Sequence, residues 1–425
     1  MALTDSVASI TSLGRPQHFW VLVSGSILII VAYCVAVSIY NLYFHPLAKY
    51  PGPRLAAISR YWEIFSYLGG RTPTDLLELH NKYGPVVRTT PNGLSFISAP
   101  QWKEIYGHKT GHLEFSKDEN YHASVSEPNI LNADRHYHGY IRKLFTHGFS
   151  EKALREQEPI LKQYVDLMFK GIQEQSQNGT QPVDILEWYN EKVNHRLQTE
   201  STVPDFMDKL ITSYNEGKMS FGQLSSNSQV LIGAGSETTG LTWLLMKNPR
   251  VFQKLAAEVR STFSHPDEIT FTEANKCKYL LACIEEALRA YPPSPQPHAR
   301  IVPPGGATVN GDFLPEGTSV AIPIYAACNS AANFTRPMEF IPERWLGQDP
   351  EFDNDKRDAS QTFSVGPRAC IGRNLAYAEI KLIMARLVWQ FDIENATEGD
   401  WMGTQKVFMV WDKSPLWIKL RPVRQ

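Results

Sequence analysis

The sequence carries almost no net charge, with 42 Lys and Arg against 44 Asp and Glu, and has no basic run long enough to follow a phosphate backbone. Nucleic acid is therefore not an expected partner. Cysteine is scarce: Cys34, Cys277, Cys283, Cys328 and Cys370 are odd in number and lack paired spacing, which argues against a disulfide framework. Internal repeats and low-complexity segments are absent, and no linker divides the chain beyond its N-terminal part. With 425 residues, 43% of them hydrophobic, that remainder can bury one large core.

Charge is missing altogether from "FWVLVSGSILIIVAYCVAVSIY", residues 19–40. At helical rise this stretch covers roughly 30 Å, the thickness of a bilayer core. It reads as a membrane span; it is too long for the apolar part of a cleaved signal and lacks a small-residue cleavage site after it. Lys49, Arg54 and Arg60 follow the span and only Arg15 precedes it, so the bulk of the chain is expected on the cytosolic side. "YPGP" at 50–53 makes a stiff exit that neither helix nor sheet would absorb.

Beyond the span the pattern is mainly α. Apolar residues recur at helical spacing over 153–175, 221–247, 251–263, 278–291 and 374–391. Between 301 and 324 an Asn-Gly step followed by alternating apolar residues predicts a hairpin and short strands.

Three motifs carry chemistry. In "LIGAGSETTG", 231–240, three glycines interrupt a helical pattern, each at about 1 kcal/mol relative to alanine. Glycine lets a ligand approach the backbone, and a threonine hydroxyl can leave the helical ladder, so a polar opening beside Glu237 and Thr238 is one reading. Close packing at a helix crossing is the other. In "IEEALRAYPP", 284–293, Glu286 and Arg289 share a helix face, a spacing that usually means a solvated ion pair. The loop "FIPERW", 340–345, supplies Arg344 as a further claimant on the same carboxylate.

The third motif is "FSVGPRACIG", 363–372, directly before an amphipathic helical pattern. A helix N-terminus favours thiolate at Cys370. Gly366 permits a tight turn, Gly372 removes the side chain that would meet a flat macrocycle, Arg368 offers charge to an acidic cofactor group, and Phe363 can shield the sulfur. This layout fits heme held axially by cysteine. A redox-sensing thiol and zinc ligation are the alternatives, and zinc lacks a second cysteine or histidine close by in sequence.

The ten-residue pattern around Cys370 resembles the heme-binding signature of the cytochrome P-450 superfamily. "AGSETT" looks like its oxygen-activation motif, which makes Glu237 and Thr238 the acid-threonine pair of the distal side. "EALR" with "PERW" resembles its buried Glu286, Arg289, Arg344 triad. The resemblance also gives His138 and Arg142 of "HGYIRK", with Arg300 and Arg368, as partners of the heme propionates. "HPLAKYPGP", "IVPPGGA" and "RNLAYAE" are similar to fungal secondary-metabolism hydroxylases.

The resemblance implies a cytochrome P-450 fold, mainly α with a small β region, behind a transmembrane helix. Its parts would be a tail at 1–18, the anchor at 19–40, a proline-rich hinge at 41–53 and a heme-thiolate catalytic domain at 54–425. It implies heme b on Cys370 and oxidation of a small lipophilic substrate by dioxygen. Electrons would come from NADPH through an NADPH-cytochrome reductase docked near Lys356, Arg357, Arg373 and Lys381. The implied location is the endoplasmic reticulum membrane, single-pass, with the sequons at Asn178, Asn333 and Asn395 unmodified on the cytosolic side.

Two departures stand out. After "EWYN", 187–190, helices worth on the order of eighty residues that belong to the substrate roof are missing. After Glu237-Thr238-Thr239, "GLTWLLMKNP" arrives about five residues early, roughly 7 Å of helix. A heme-binding protein with impaired turnover, and a heme-thiolate isomerase or dehydratase that needs no reductase, are therefore the alternative functions.

Overall fold

The computed structural model describes residues 16–108, 114–119, 127–146, 148–177, 179–188, 208–224, 227 and 237–423. Helix α1, Pro16–Ile39, runs into a π turn, Tyr40–Phe44. From Phe19 onward its side chains are almost all exposed, as suits a helix whose solvent is lipid, and the apolar span reaches Tyr43. Its inner end is fixed to the domain: Arg88, almost wholly buried, donates through Nη1 to the Asn41 carbonyl at 2.7 Å. The proline-rich hinge is docked as well. Lys49 and Tyr50 both reach Asp312, at 2.7 and 2.8 Å. Gly52 lies so close to the Arg88 carbonyl that a Cβ there would stand 2.3 Å from it.

The further helices that matter for the site are α2 (Ala99–Tyr106), α3 (Arg135–Thr146), α4 (Glu151–Gln175), α5 (Glu237–Lys247), α6 (Pro249–Thr262), α7 (Lys278–Ala290) and α8 (Arg373–Gln390). Ser150 caps α4 by accepting from the Ala153 amide, and Leu154, Leu161, Val165, Met168 and Ile172 form its buried stripe. Four of the five predicted helices, those over 153–175, 251–263, 278–291 and 374–391, match to within two residues at each end. Of the fifth, 221–247, the described residues are helical at 221–224, at 227 and from Glu237 on. Past Thr239, α5 continues unbroken to Lys247, and Thr242 Oγ1 donates back to the Thr238 carbonyl at 2.9 Å.

One expectation fails. Helix α8 is not amphipathic. Ala378, Ile380, Leu382, Ile383, Met384, Ala385, Leu387, Val388 and Trp389 are all buried, a run that covers every face of its second half. It is a central helix enclosed by α4, α6 and α7, and its few polar residues, from Arg373 and Asn374 to Lys381, Arg386 and Gln390, are spread along its length.

Five strands make the main sheet: β1 (Val86–Thr90), β2 (Gly93–Phe96), β3 (Ser116–Lys117), β4 (Arg300–Ile301) and β5 (Ser319–Ala321), in the order β1-β2-β5-β4-β3. β2 and β5 are parallel; the other neighbours are antiparallel. In the β3–β4 pair Lys117 stands opposite Arg300. The predicted hairpin joins Ala307–Val309 to Asp312–Leu314. Asn310 and Gly311 turn it, both with positive φ (55° and 79°), the backbone that two-residue hairpins require.

The core joins α5, α6, α7 and α8 through residues such as Leu241, Leu255, Val259, Leu280, Ile284, Met384 and Leu387. A smaller cluster of Ile130, Ile141, Phe145, Phe149, Leu210 and Met219 supports Ile371, next to Cys370.

Candidate active site

The cysteine loop is built by close backbone approach. Gly366 has φ 78°, and a Cβ on it would fall 2.0 Å from the carbonyl oxygen of Tyr106 at the end of α2. Glycine is therefore demanded there by the polypeptide itself. The Cys370 amide donates to the Phe363 carbonyl at 2.8 Å, closing the loop just before α8 begins. Cys370 is exposed, whereas Cys277, Cys283 and Cys328 are buried. Gly372 differs from Gly366: a Cβ on it would meet only Phe149 at 3.5 Å and the Cys370 sulfur at 3.9 Å, ordinary contacts. Among the described residues nothing requires glycine at 372; a flat group over the sulfur would require it.

Phe363 packs on Tyr377, with ring centroids 5.3 Å apart. Tyr377 donates to Glu285 at 2.7 Å, and Arg373 lies 5.7 Å over the Tyr377 ring. Burial is the main reason the Glu285 carboxyl is raised above its usual range. This support behind the loop went unseen in the sequence, where Glu285 and Tyr377 are ordinary helix residues.

Cations crowd the other side. Arg142 donates to the Ala369 carbonyl at 2.7 Å. Arg368 pairs with Glu114 at 2.7 Å and donates to the Ala133 carbonyl at 2.8 Å. Arg300 is buried, 5.2 Å over the Tyr106 ring. His138 is buried too; burial first, then the charges of Arg368, Lys117 and Arg142, hold its imidazole down to about 4, so the ring is neutral. Lys117, another residue the motifs did not reveal, is brought down to about 7 by burial and by Arg300 and Arg368, with Glu114 opposing. The structure thus collects Arg142, Arg300, Arg368 and Lys117, with the neutral His138, in the neighbourhood of the carboxylate Glu114. So large a surplus of positive charge at a half-buried place suits a ligand with two carboxylates. With one thiol, a spared Cβ and this cation set, the residues fit a heme. Among the described residues no group of three His, Cys, Asp or Glu side chains could hold another metal.

On the opposite face of α8 lies α5. Thr238 and Thr239 are buried; Thr239 Oγ1 has no hydrogen-bond partner among the described residues, and Thr242 Oγ1 approaches Met384 Sδ of α8 at 3.9 Å. Gly240 is explained by packing, because a Cβ there would fall 2.5 Å from the Tyr291 ring. The side chain of Glu237, and Gly233 and Gly235, lie outside the described residues.

Glu286, Arg289 and Arg344 meet in the interior with no exposure. Glu286 binds Arg289 through two bonds of 2.8 Å, Arg344 at 3.0 Å, the Trp345 indole at 2.9 Å and the Ile341 amide at 2.8 Å. The solvated ion pair that the spacing alone suggests is not what forms. Arg344 is also held by Asp355 at 2.5 Å, an added member the sequence did not reveal.

A family model described as Cytochrome P450 matches residues 180–418. The chain belongs to the cytochrome P450 family. Its relatives in that family include the cytochrome P450 monooxygenase hepD of Aspergillus oryzae, 39% identical over 99% of this chain and 100% of the relative. An averantin hydroxylase of Dothistroma septosporum is 37% identical over 90% and 88% of the two chains. A trichothecene C-15 hydroxylase of Fusarium sporotrichioides is 36% identical over 92% and 96%. The chain is a fungal-type P450 and a heme-thiolate monooxygenase, with a mainly helical fold and small sheets. The alignment with hepD spans 502 positions against 425 residues here, so at least 77 of its positions have no residue from this chain. The stretch after Asn190, where the sequence reads as shortened, lies outside the described residues.

Proposed function

We propose that this P450 is anchored in the endoplasmic reticulum membrane by α1 and hydroxylates a small lipophilic secondary metabolite on the cytosolic side. The exposed, uncharged α1 and the names of the hydroxylase relatives support this reading. One dioxygen, the substrate C–H bond and two electrons and a proton from NADPH plus a further proton would give the alcohol and water, the electrons arriving through an NADPH-cytochrome reductase.

The bound heme supplies a redox-active iron, and the residues of this chain do the rest. Cys370 provides the anionic sulfur ligand, and the Arg142 bond to Ala369 and the Cys370 amide bond to Phe363 hold it in position. His138, Arg142, Arg300 and Arg368 would hold the propionates. Thr238 and Glu237 would hold and pass protons, and the hydroxyl of Thr239, next to Thr238 in sequence, is buried. The Glu286 cluster fixes α7 to the loop 335–345 and so keeps the proximal layer rigid. Of the four cations expected to meet the reductase, Lys356 and Arg373 are exposed. Lys381 is half-buried and donates to Asn275 at 2.6 Å, and Arg357 has a buried Nε, so these two are withdrawn from that surface.

The observation that carries the proposal is an exposed cysteine backed by a helix N-terminus and flanked by a surplus of cations. The missing positions favour a second reading, a heme-binding P450 whose turnover is impaired. Water reaching an incompletely roofed iron would divert electrons to hydrogen peroxide. Reconstitution with reductase in vesicles, with averantin as the first lipophilic probe, tests both. Product formed in proportion to NADPH supports the hydroxylase, peroxide in its place supports the impaired form, and the absence of a carbon-monoxide band in the reduced protein defeats both.

A further inference from the structure

The apolar helix at the start of the chain does not end free. The last carbonyls of a helix lack partners within it, and one left bare in lipid costs several kcal/mol. Here the domain supplies partners. The Tyr40 carbonyl accepts from the His45 amide at 2.9 Å, and the Asn41 carbonyl accepts from Arg88 Nη1 of β1 at 2.7 Å. Arg88 is 2% exposed, and its other contacts are carbonyls too: Nε and Nη2 both donate to Pro91, at 3.2 and 2.6 Å. Among the described residues no carboxylate pairs with it. Its charge therefore sits at the negative end of the helix dipole, where a cation is favoured.

The segment that follows is pinned at short intervals. Asn41 is buried and donates through Nδ2 to the Ile58 carbonyl at 3.3 Å, Leu47 is buried, and the Arg88 amide donates to the Pro51 carbonyl at 2.8 Å. The π turn Tyr40–Phe44 and the short helix Arg54–Ile58 pack on one another. A buried guanidinium bonded at Asn41 cannot lie in hydrocarbon, so the bilayer must end before that residue although the apolar stretch runs on to Tyr43. Phe19–Ile39 alone still rises about 31 Å, enough to cross the core.

We propose that Arg88 joins the membrane helix and the catalytic domain into one rigid body, so that the domain rides on the bilayer at a single fixed tilt. The stretch 41–53 is then a splint, and the expected hinge is not one.

This rests on α1 crossing a membrane, and the test separates the two. Cys34 lies exposed on α1, whereas Cys277, Cys283 and Cys328 are buried and heme would occupy Cys370. Met338 is exposed in a loop held by the Arg289 bond to the Pro337 carbonyl at 2.7 Å. The full-length holoprotein carrying Met338→Cys would be spin-labelled at Cys34 and at the introduced thiol, returned to vesicles, and the distribution of label separations measured by pulsed electron resonance. A single narrow distribution is expected. Three glycines inserted between Ile39 and Tyr40 leave Arg88 and its partners in place and should broaden it by about 10 Å, the reach of so short a flexible joint. Arg88→Met should broaden it as well while keeping the thiolate-type carbon-monoxide band. A distribution in the uninserted chain as broad as with the glycines, or one that stays narrow in a heme-loaded Arg88→Met variant, would overturn the proposal. The glycine comparison decides even if Arg88→Met does not fold. A native chain that fails to float with vesicles would instead overturn the membrane reading beneath it.

Discussion

Glu286 and Arg344 meet through Oε1 and Nε at 3.0 Å, 58 residues apart in the chain and with neither side chain exposed. Because Glu286 also serves Arg289, Trp345 and Ile341, removing its charge leaves two guanidinium groups buried together. Breaking a buried pair in this way costs ~3–5 kcal/mol. Glu286→Gln should cut the yield of folded, carbon-monoxide-binding protein to roughly a tenth or less at equal expression. A yield near that of the native chain would show that Asp355 alone can hold Arg344.

Cys370→Ala should abolish the thiolate-type carbon-monoxide spectrum, since the other described cysteines are buried elsewhere or lie in α1. Retention of that spectrum would show that another residue supplies the sulfur.

Gly366 and Gly372 should respond in opposite ways. Gly366→Ala meets the Tyr106 carbonyl and a left-handed backbone, so the heme-free chain itself should lose ~1–3 kcal/mol or more in urea unfolding. Gly372→Ala finds room in the heme-free chain and should leave that unfolding unchanged, yet lower heme content. Equal heme content in Gly372→Ala and the native protein would remove the argument for a flat group over residue 372.

Acid should weaken the fold through His80. Its Nδ1 donates to the Gly84 carbonyl at 2.9 Å, its Nε2 accepts from Ser95 at 2.7 Å, and burial holds the imidazole down to about 4. The ring is neutral in the fold, whereas the unfolded chain binds a proton below about 6.5. The stabilising effect is complete above pH 6.5 and is lost as pH falls toward 4. Urea midpoints measured across that window should fall less steeply for His80→Gln than for the native chain; parallel curves would assign the acid sensitivity elsewhere.

Of the two sequons among the described residues, Asn395 is exposed, while Asn333 is buried and donates through Nδ2 to Ile97 and Ala327; Asn178 lies outside them. Asn395 is therefore the reporter of topology: it should remain unmodified in a eukaryotic host, and a mass shift on glycosidase treatment would place the domain in the lumen.

What could be read from the sequence was local. The cysteine loop, the Asn310-Gly311 turn and the periodicity of α4, α6 and α7 each lie within a few turns of chain, where spacing carries the physics. The environment of α8 was misread because its apolar residues follow one another closely, and only the packing of α4, α6 and α7 around it shows that every face is used. The pairing of Arg344 with Glu286 could be suspected from two motifs, but Asp355 could not. Lys117 and Glu114 sit in an unremarkable "EFSK" stretch and gain meaning only from strand pairing with a segment far along the chain.

Those separations bear on how the molecule comes into being. Arg142 and Ala369 lie 227 residues apart, and Arg368 and Glu114 lie 254 apart. At ~5–20 residues per second of synthesis, the first half of the site waits on the order of tens of seconds for the second. Throughout that interval the nascent chain displays cations without the Cys370 sulfur that is to accompany them. Heme loading must therefore follow the synthesis of α8, and a chain stalled before residue 368 would be a fragment without a pocket.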